Sequence, residues 1–491
     1  MTQNSSTALP TSERLTGSLG FIGTLAQPLG VQAPTASAFI VPAVMAGFVG
    51  LATPLAFVLG VGIGLFVAYS FCLFARKYAT AGSIYGFNRT ALGPGYSFVS
   101  AWILLCAYLA FAAAIGPIIA NYMNSLWPAY GNAIPWEVTS VVVMLLAGLL
   151  VFRSVELSAK VTATFESIGL ICLLAICIAV LANGGYGGHS ITLTPFGTNG
   201  LSFSALAFGV AFAFVGFAGF ESAAVLGEES RNPTRAIPRA IITGLLIGGG
   251  FVSLAAYVEI IGFPNPAALA QDPAPLVTLA HNFIGGSIIG KLITVAVILT
   301  SFGSAIGLLQ AASRLLYSFS RDGIFSRKLA HTHPRHGTPV NSLAIVWVLT
   351  TLTALCFIGK SPVTPFAYLS TTGAIAIVIA YLSTVIAAAV RFRKTLHVVI
   401  PTIGIPLLCY VLYRNVIPIP PSPLNLYIYL AFGWLGIAIV AVLASKKLRR
   451  LLANSHELTL MTTTPVARDG ARGVHVNEPP LASAARETVR L

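Results

Sequence analysis

Two carboxyls sit inside membrane-length apolar runs of this 491-residue chain, Glu221 in residues 203–229 and Glu166 in residues 159–182. A carboxylate in hydrocarbon costs several kcal/mol unless it is paired, hydrated or protonated. The chemistry open to both is therefore reversible proton uptake within a membrane. Glu221 also has unusual company. Gly209, Gly216 and Gly219 precede it in the same run, and each glycine weakens a helix by about 1 kcal/mol relative to alanine. An acid beside such weak helix predicts a span that opens locally and faces a cavity. Phe214 and Phe217 flank the expected opening and are candidates to cover a guest as a gate. Glu166 lies six residues beyond Lys160, about 9 Å along a helix. It is the candidate carrier of a coupling proton, against the alternative of a carboxyl pairing or snorkelling near a span end.

The elements that must hold these groups are membrane helices. Hydrophobic residues make up 56% of the chain and charged ones 9%, against about 25% charged in soluble domains, which argues for a polytopic membrane protein. About twelve spans are expected from length and hydrophobicity: near 17–47, 51–75, 97–125, 137–153, 159–182, 202–227, 239–262, 285–313, 341–358, 363–390, 397–414 and 425–445. Residues 1–15 read as a polar tail without the order of a cleaved signal peptide. Residues 446–491 read as a disordered tail. The net charge of +14 forms no single patch, which argues against nucleic acid as a partner. Lys and Arg instead fall in alternate loops: Arg76, Lys77 and Arg89; Arg231, Arg235 and Arg239; Arg321, Arg327, Lys328 and Arg335; Lys446, Lys447, Arg449 and Arg450. The loops near 126–136, 183–201 and 263–284 carry none. This asymmetry places both termini in the cytoplasm of a multi-pass plasma-membrane protein.

The first span is interrupted as well. Pro28, Gly30, Pro34 and Pro42 punctuate it, with Gln27, Gln32, Thr35 and Ser37 between them. Proline removes a helix hydrogen bond, and irregular backbone at membrane depth is tolerated only where protein or a wet cavity covers it. Spans one and six are thus both broken, each the first of a five-span block. Matched interruptions of this kind point to an inverted-repeat transporter with its ligand at the midplane. The competing reading is a pair of kinked helices packed through small residues. The expected layout is repeat one over 16–182, repeat two over 202–390, and two extra helices over 397–445.

GFAGFESAAVLGEESRNPTRAIPRAI, from Gly216 to Ile241, resembles the sixth span and following loop of the amino acid–polyamine–organocation superfamily. ATAGSIYGFNRTALGPGYSFVSAW (Ala79–Trp102) is similar to that family's second loop, and the stretch Ala311–Leu343 to the end of its eighth span. The resemblance covers roughly residues 15–445. It implies an all-α membrane protein of the leucine-transporter fold: about twelve helices, a five-plus-five inverted repeat with helices 1 and 6 broken, and two extra helices. It implies a permease for an amino acid or related amine, working by alternating access and coupled to protons or, less often, working by exchange. One departure stands out. Where the family usually carries a glycine-rich run in span one, this chain has Thr35, Ala36, Ser37 and Ala38 before Phe39-Ile40-Val41-Pro42.

An amino acid zwitterion needs donors for its carboxylate and acceptors for its ammonium. A half-helix starting near Thr35 offers bare N–H groups and the positive end of its dipole. The carbonyls that end the half-helix before Val215–Ala218 could accept from the ammonium. The candidate ligand-binding residues are therefore Gln32, Thr35, Ala36 and Ser37 in span one and Val215, Phe217 and Ala218 in span six. Phe214, Glu221 and Glu166 are the gating and coupling candidates, and Thr300, Ser301 and Ser304 a candidate sodium site. The alternative for the hydroxyls is a bond back to their own helix. Glu259 and Lys291 are expected to pair. His331, His333 and His336 lack acids or cysteines at ligand spacing, so no metal and no cofactor is expected. The alternatives are a polyamine or organocation transporter and, in another class, a membrane sensor that binds without moving its ligand. No nucleophile elbow or phosphate loop points to an enzyme.

Overall fold

The computed structural model describes residues 15, 19–127, 133–419 and 421–454. Most of the two tails, 1–14 and 455–491, lies outside them. The described chain is helical throughout, without a β-strand. Helices α1 (Phe21–Gln32) and α2 (Pro34–Val49) make the broken first crossing, followed by α3 (Thr53–Ala75), α4 (Ile84–Leu126), α5 (Trp136–Arg153) and α6 (Val155–Ala182). The second half opens with α7 (Phe203–Val215), whose crossing resumes as the 3-10 helix Phe220–Leu226, and α8 (Pro233–Gly262). Two short helices, α9 (Pro266–Gln271) and α10 (Pro275–Phe283), precede α11 (Ser287–Arg321), α12 (Val340–Leu355) and α13 (Val363–Arg391). Helices α14 (Thr395–Val416) and α15 (Leu424–Ala444) end the bundle, and α16 (Lys446–Ala453) follows. Among the described residues ten stretches are long and apolar enough to cross a membrane; the first, Phe21–Ala75, holds two crossings, and the shorter α12 completes twelve.

Both expected breaks are present. In the first crossing the break is one residue wide: Ala33 takes φ 43° and ψ 64°, ending α1 and starting α2 with Pro34. In the second, Gly216–Gly219 form turns, and Gly219 at φ 110° reaches a conformation that L side chains rarely adopt. The longest pairings run between halves. Helix α13 lies along α4 and α3 along α8, while α1 packs against α8 and α11 of the second half and α6 of its own.

Several boundaries differ from expectation. Helix α4 begins at Ile84, well before residue 97, with a bend at Gly93 (φ 84°) that hydropathy cannot see. Helix α11 runs to Arg321, beyond residue 313, because its last two turns bury arginines that are neutralised by acids elsewhere. The loop 263–284 holds α9 and α10. The segment from Lys446 begins with an amphipathic helix, since Leu448, Leu451 and Leu452 turn inward while its four cations stay exposed. The expected Glu259–Lys291 pair is absent: Glu259 is buried with neither carboxyl oxygen bonded, and Lys291 is exposed.

One face of the bundle carries the arginine-rich loops and is closed by ion pairs. Arg314 is fully buried and meets Glu229 through Nε at 2.5 Å and Nη2 at 2.7 Å. Arg321 holds Glu228 at 2.9 and 3.0 Å. Leu19 N–H donates to the Glu229 carbonyl at 3.0 Å, and Arg231 N–H to the Leu19 carbonyl at 2.8 Å. The entry to span one, the exit of span six and the end of span eight are thus fastened together. Burial raises the Glu228 carboxyl, but the Arg321 guanidinium and the Ala81 N–H outweigh it and hold the group below its ordinary value of 4.5. This pair is complete above that value and is lost only as pH falls through the lowered one.

Removing one partner of a fully buried pair leaves a bare charge and costs about 3–5 kcal/mol. Glu229→Ala should therefore lower the thermal unfolding midpoint of the purified protein sharply. Glu229→Leu combined with Arg314→Met should recover most of the loss. A double variant no more stable than the single one would show that the pair does not set the loss. Glu228→Gln should leave the shape of a pH profile between about pH 5 and 8 unchanged, because its titration lies below that window; a profile displaced within it would contradict this.

Candidate functional site

A cavity of about 440 Å³ lies where the two breaks meet. Its walls come from Val31–Ala33, Ala36, Ser37 and Ile40 of the first crossing, Phe212, Val215, Gly216 and Ala218 of the sixth, and facing residues of α4, α11 and α13. It extends past Val44, Tyr122, Phe366 and Asn415. By their places along their helices these four lie toward the face opposite the ion pairs. No charged side chain lines it.

Helix chemistry explains what the walls offer. Pro34 has no N–H to give to the Gly30 carbonyl. Ser37 N–H bonds the Ala33 carbonyl at 2.9 Å. Ala33 has no side chain able to cap α2, so the N–H groups of Thr35 and Ala36 face the first turn without an intrahelical partner. Neighbours satisfy much of the remaining backbone. The Ser37 hydroxyl donates to the Gln32 carbonyl at 3.0 Å, Ser304 to the Val31 carbonyl at 3.4 Å, and Gln27 Nε2 to the Gly307 carbonyl at 2.9 Å. Gln32 Nε2 donates to the Pro28 carbonyl at 2.9 Å, while its Oε1 has no partner. Gly248 makes room for this amide, since a Cβ there would sit 2.4 Å from Gln32 Oε1.

The structure brings Gln32, Ala36, Ser37, Val215, Ala218, Ser301 and Ser304 onto the cavity wall. It does not bring Thr35, Phe214, Phe217 or Thr300 there. Thr35 is buried between helices, its side chain against Gly169, where Thr300 also packs. Thr300 bonds back to the Val297 carbonyl at 3.1 Å. Phe214 and Phe217 are buried on the far side of the break and pack edge to face, 6.1 Å apart. Gly60 of α3 leaves space for them, as a Cβ there would touch Phe214 N and the Phe217 ring at 3.1 Å.

Glu221 is likewise off the wall. It is fully buried and accepts a hydrogen bond from Tyr108 of α4 at 2.9 Å and another, very short, from Tyr381 of α13. The Tyr381 hydroxyl in turn accepts from Gly219 N–H at 2.8 Å. The acid therefore joins the second break to two helices and stands off the cavity wall. Phe71, Phe214 and Phe220 surround the Tyr381 ring at 5.3–6.0 Å. Glu166 is also buried, and neither of its oxygens has a partner. It lies at the junction of α1, α6 and α11: its Oε1 is 3.4 Å from where a Gly303 Cβ would stand, and Thr162, whose hydroxyl is also unpartnered, fills the space between Gly30 and Gly303.

Sequence reasoning missed Tyr108 and Tyr381, the partners of Glu221, and the acid–arginine pairs at Glu228 and Glu229. Two arginines in the same stretch as a membrane helix, seven residues apart, were the available signal for the pairs. Nothing in the sequence marks the tyrosines, because their meeting depends on helix register.

His333 and His336 stack at 4.6 Å, and no group of metal-ligating side chains forms among the described residues.

Comparison with known proteins fits this geometry. The profile of the family described as "Amino acid permease" matches residues 27–413. The branched-chain amino acid permease BcaP of Lactococcus lactis is 27% identical over 351 residues, covering 68% of this chain and 73% of its own. The low-affinity putrescine importer PlaP of Escherichia coli is 28% identical, covering 59% and 64%. Human cationic amino acid transporter 4 is 26% identical over 62% of this chain and half of its own length. The match takes in both breaks and all of the cavity lining but Asn415, and the chain belongs to the amino acid permease family of the amino acid–polyamine–organocation superfamily.

Proposed function

We propose that this permease carries a zwitterionic amino acid with an apolar side chain across the plasma membrane by alternating access, with a proton as the coupling ion. The observation that carries the substrate class is the uncharged cavity wall. Bare N–H groups at the start of α2 suit the ligand carboxylate. Carbonyls at the break after α7, with Gln32 Oε1, suit its ammonium. The apolar remainder of the wall suits an aliphatic or aromatic side chain, and the volume falls in the range of roughly 300–1,000 Å³ usual for small-molecule sites. A polyamine would bring two or more charges to a wall that holds no carboxylate.

The coupling group in this reading is Glu166. It has no hydrogen-bond partner, and α1, whose end forms part of the cavity wall, lies against it. Its proton would leave when α1 moves and water reaches the junction. Glu221 acts as the hinge tie, keeping the second break fixed to α4 and α13 while the first half-helix moves. Sodium finds poorer provision, since Thr300 is bonded within its own helix and Ser304 to Val31. The basic loops face the cytoplasm, so the cavity opens outward.

Reconstituted protein should accumulate labelled leucine-like amino acids under an inward proton gradient, and arginine and putrescine at least tenfold less. Preference for putrescine would overturn the substrate class, and binding without flux would favour a sensor. Ala36→Leu, which fills the wall, should abolish uptake while leaving the unfolding midpoint within a few degrees of wild type. Glu166→Gln should lose gradient-driven accumulation but keep exchange of internal for external ligand; full accumulation would exclude it as the coupling group. Glu221→Gln replaces one accepting oxygen by a donor facing a tyrosine and should alter the pH dependence of uptake, whereas an unchanged profile would leave Glu221 a purely structural tie.

A further inference from the structure

Away from the transport cavity, the arginine-rich face holds a second pocket, of about 390 Å³, lined by Arg76, Thr234, Arg235, Pro238, Arg239 and Ile242. We propose that it is a binding site for a phosphate-bearing anion. Arg76 sits directly after the last turn of α3, and the other five residues lie in the first three turns of α8. Because α3 and α8 pack along each other, the fold holds three guanidinium groups around one hollow.

Their charge is not met from within the described chain. The nearest acids in sequence, Glu228 and Glu229, are committed to Arg321 and Arg314, and no carboxylate among the described residues pairs with Arg76, Arg235 or Arg239. Placement of basic residues in alternate loops accounts for arginines on this face. It does not require three of them to line one pocket, where they stand exposed with no carboxylate beside them among the described residues. The planar fork of arginine matches phosphate oxygens in pairs.

The backbone adds to the same field. Helix α8 starts at Pro233 with no side-chain cap, and the N–H groups of Arg235 and Ala236 both turn back to the Asn232 carbonyl, each at 2.9 Å. The Thr234 hydroxyl, on the pocket wall, has no partner among the described residues and is free to donate. The positive end of a 30-residue helix dipole thus points into a hollow already lined by cations. Pro238 and Ile242 form an apolar floor one to two turns deeper into the bundle. A charged rim over an apolar floor at the end of two membrane spans fits a phosphodiester headgroup with its glycerol carbons beneath, and the rim alone also fits free phosphate. The two sources share one recognition chemistry. Occupancy would bind α3 to α8, whose Gly244 and Gly248 receive Gln32 of the first break.

The test uses full-length protein in a neutral detergent. Its unfolding midpoint is measured with added phosphatidylglycerol, with phosphatidylcholine, and with inorganic phosphate against chloride at equal ionic strength. Wild type should gain several degrees with phosphatidylglycerol over phosphatidylcholine. The triple variant R76Q/R235Q/R239Q should lose at least half of that gain, and R449Q/R450Q, which removes two of the four cations of α16, should keep it. R76Q and R239Q alone are read in the same way and should each lose part of the gain, which covers the case in which the triple variant does not fold. Inorganic phosphate that reproduces the gain and competes with the lipid identifies the free anion as occupant. A response to the lipid alone identifies the headgroup. Equal gains in wild type and the pocket variants, or equal losses in the pocket and α16 variants, would overturn the site.

Discussion

A peptide group that loses its helical partner inside a bilayer has no water to turn to, and each such group costs several kcal/mol. The two breaks expose several at once, and the packing of the other helices is arranged around supplying them. Ser304 on α11 donates to the Val31 carbonyl of the first crossing, and the Gln27 side chain reaches the Gly307 carbonyl of α11. Tyr381 on α13 accepts from the N–H of Gly219 and donates to Glu221, which also accepts from Tyr108 of α4. Each break is thereby wired to helices that are not broken. Of the groups left over, the N–H of Ala36 belongs to a residue on the cavity wall, whereas that of Thr35 belongs to a residue buried between helices.

This arrangement explains why polar residues that look equivalent in sequence part company in three dimensions. Thr35 and Ser37 are two residues apart, so on a helix their side chains diverge by about 200°. Ser37 bridges the break at the cavity, whereas Thr35 packs against Gly169. Ser301 and Thr300 divide in the same way. The overall architecture was legible because apolar length, proline and glycine positions and the loop arginines are one-dimensional signals. Gly219, Pro34 and the pattern of spans needed no knowledge of neighbours. The site was legible only to the level of the segment. Which face of α2 or α11 meets the cavity is a matter of rotation, and rotation is fixed by contacts such as Gly60 against Phe217 and Gly248 against Gln32, which no single segment contains.

The arginines of α11 carry the same lesson about charge. Hydropathy ends that span near residue 313, because Arg314 and Arg321 lower it. The helix nonetheless continues, since Glu229 and Glu228 approach from another part of the chain and make the charges tolerable. A pair assembled from distant segments can extend a membrane helix past the point at which its own sequence stops looking like one. It also fastens the exits of two crossings on the arginine-rich face.

The distribution of acids bears on what the cavity can recognise. Glu221 is consumed by two tyrosines, Glu228 and Glu229 by arginines, and Glu166 and Glu259 are buried away from the wall. A fixed carboxylate on the wall would hold a cationic ligand tightly, and it would stand bare each time the ligand left. Backbone dipoles hold a zwitterion at both ends without becoming a net charge when the site empties. A carrier must return empty or exchange its load, so a site built from interrupted helices keeps the cost of the empty state low in a way that an acid on the wall would not.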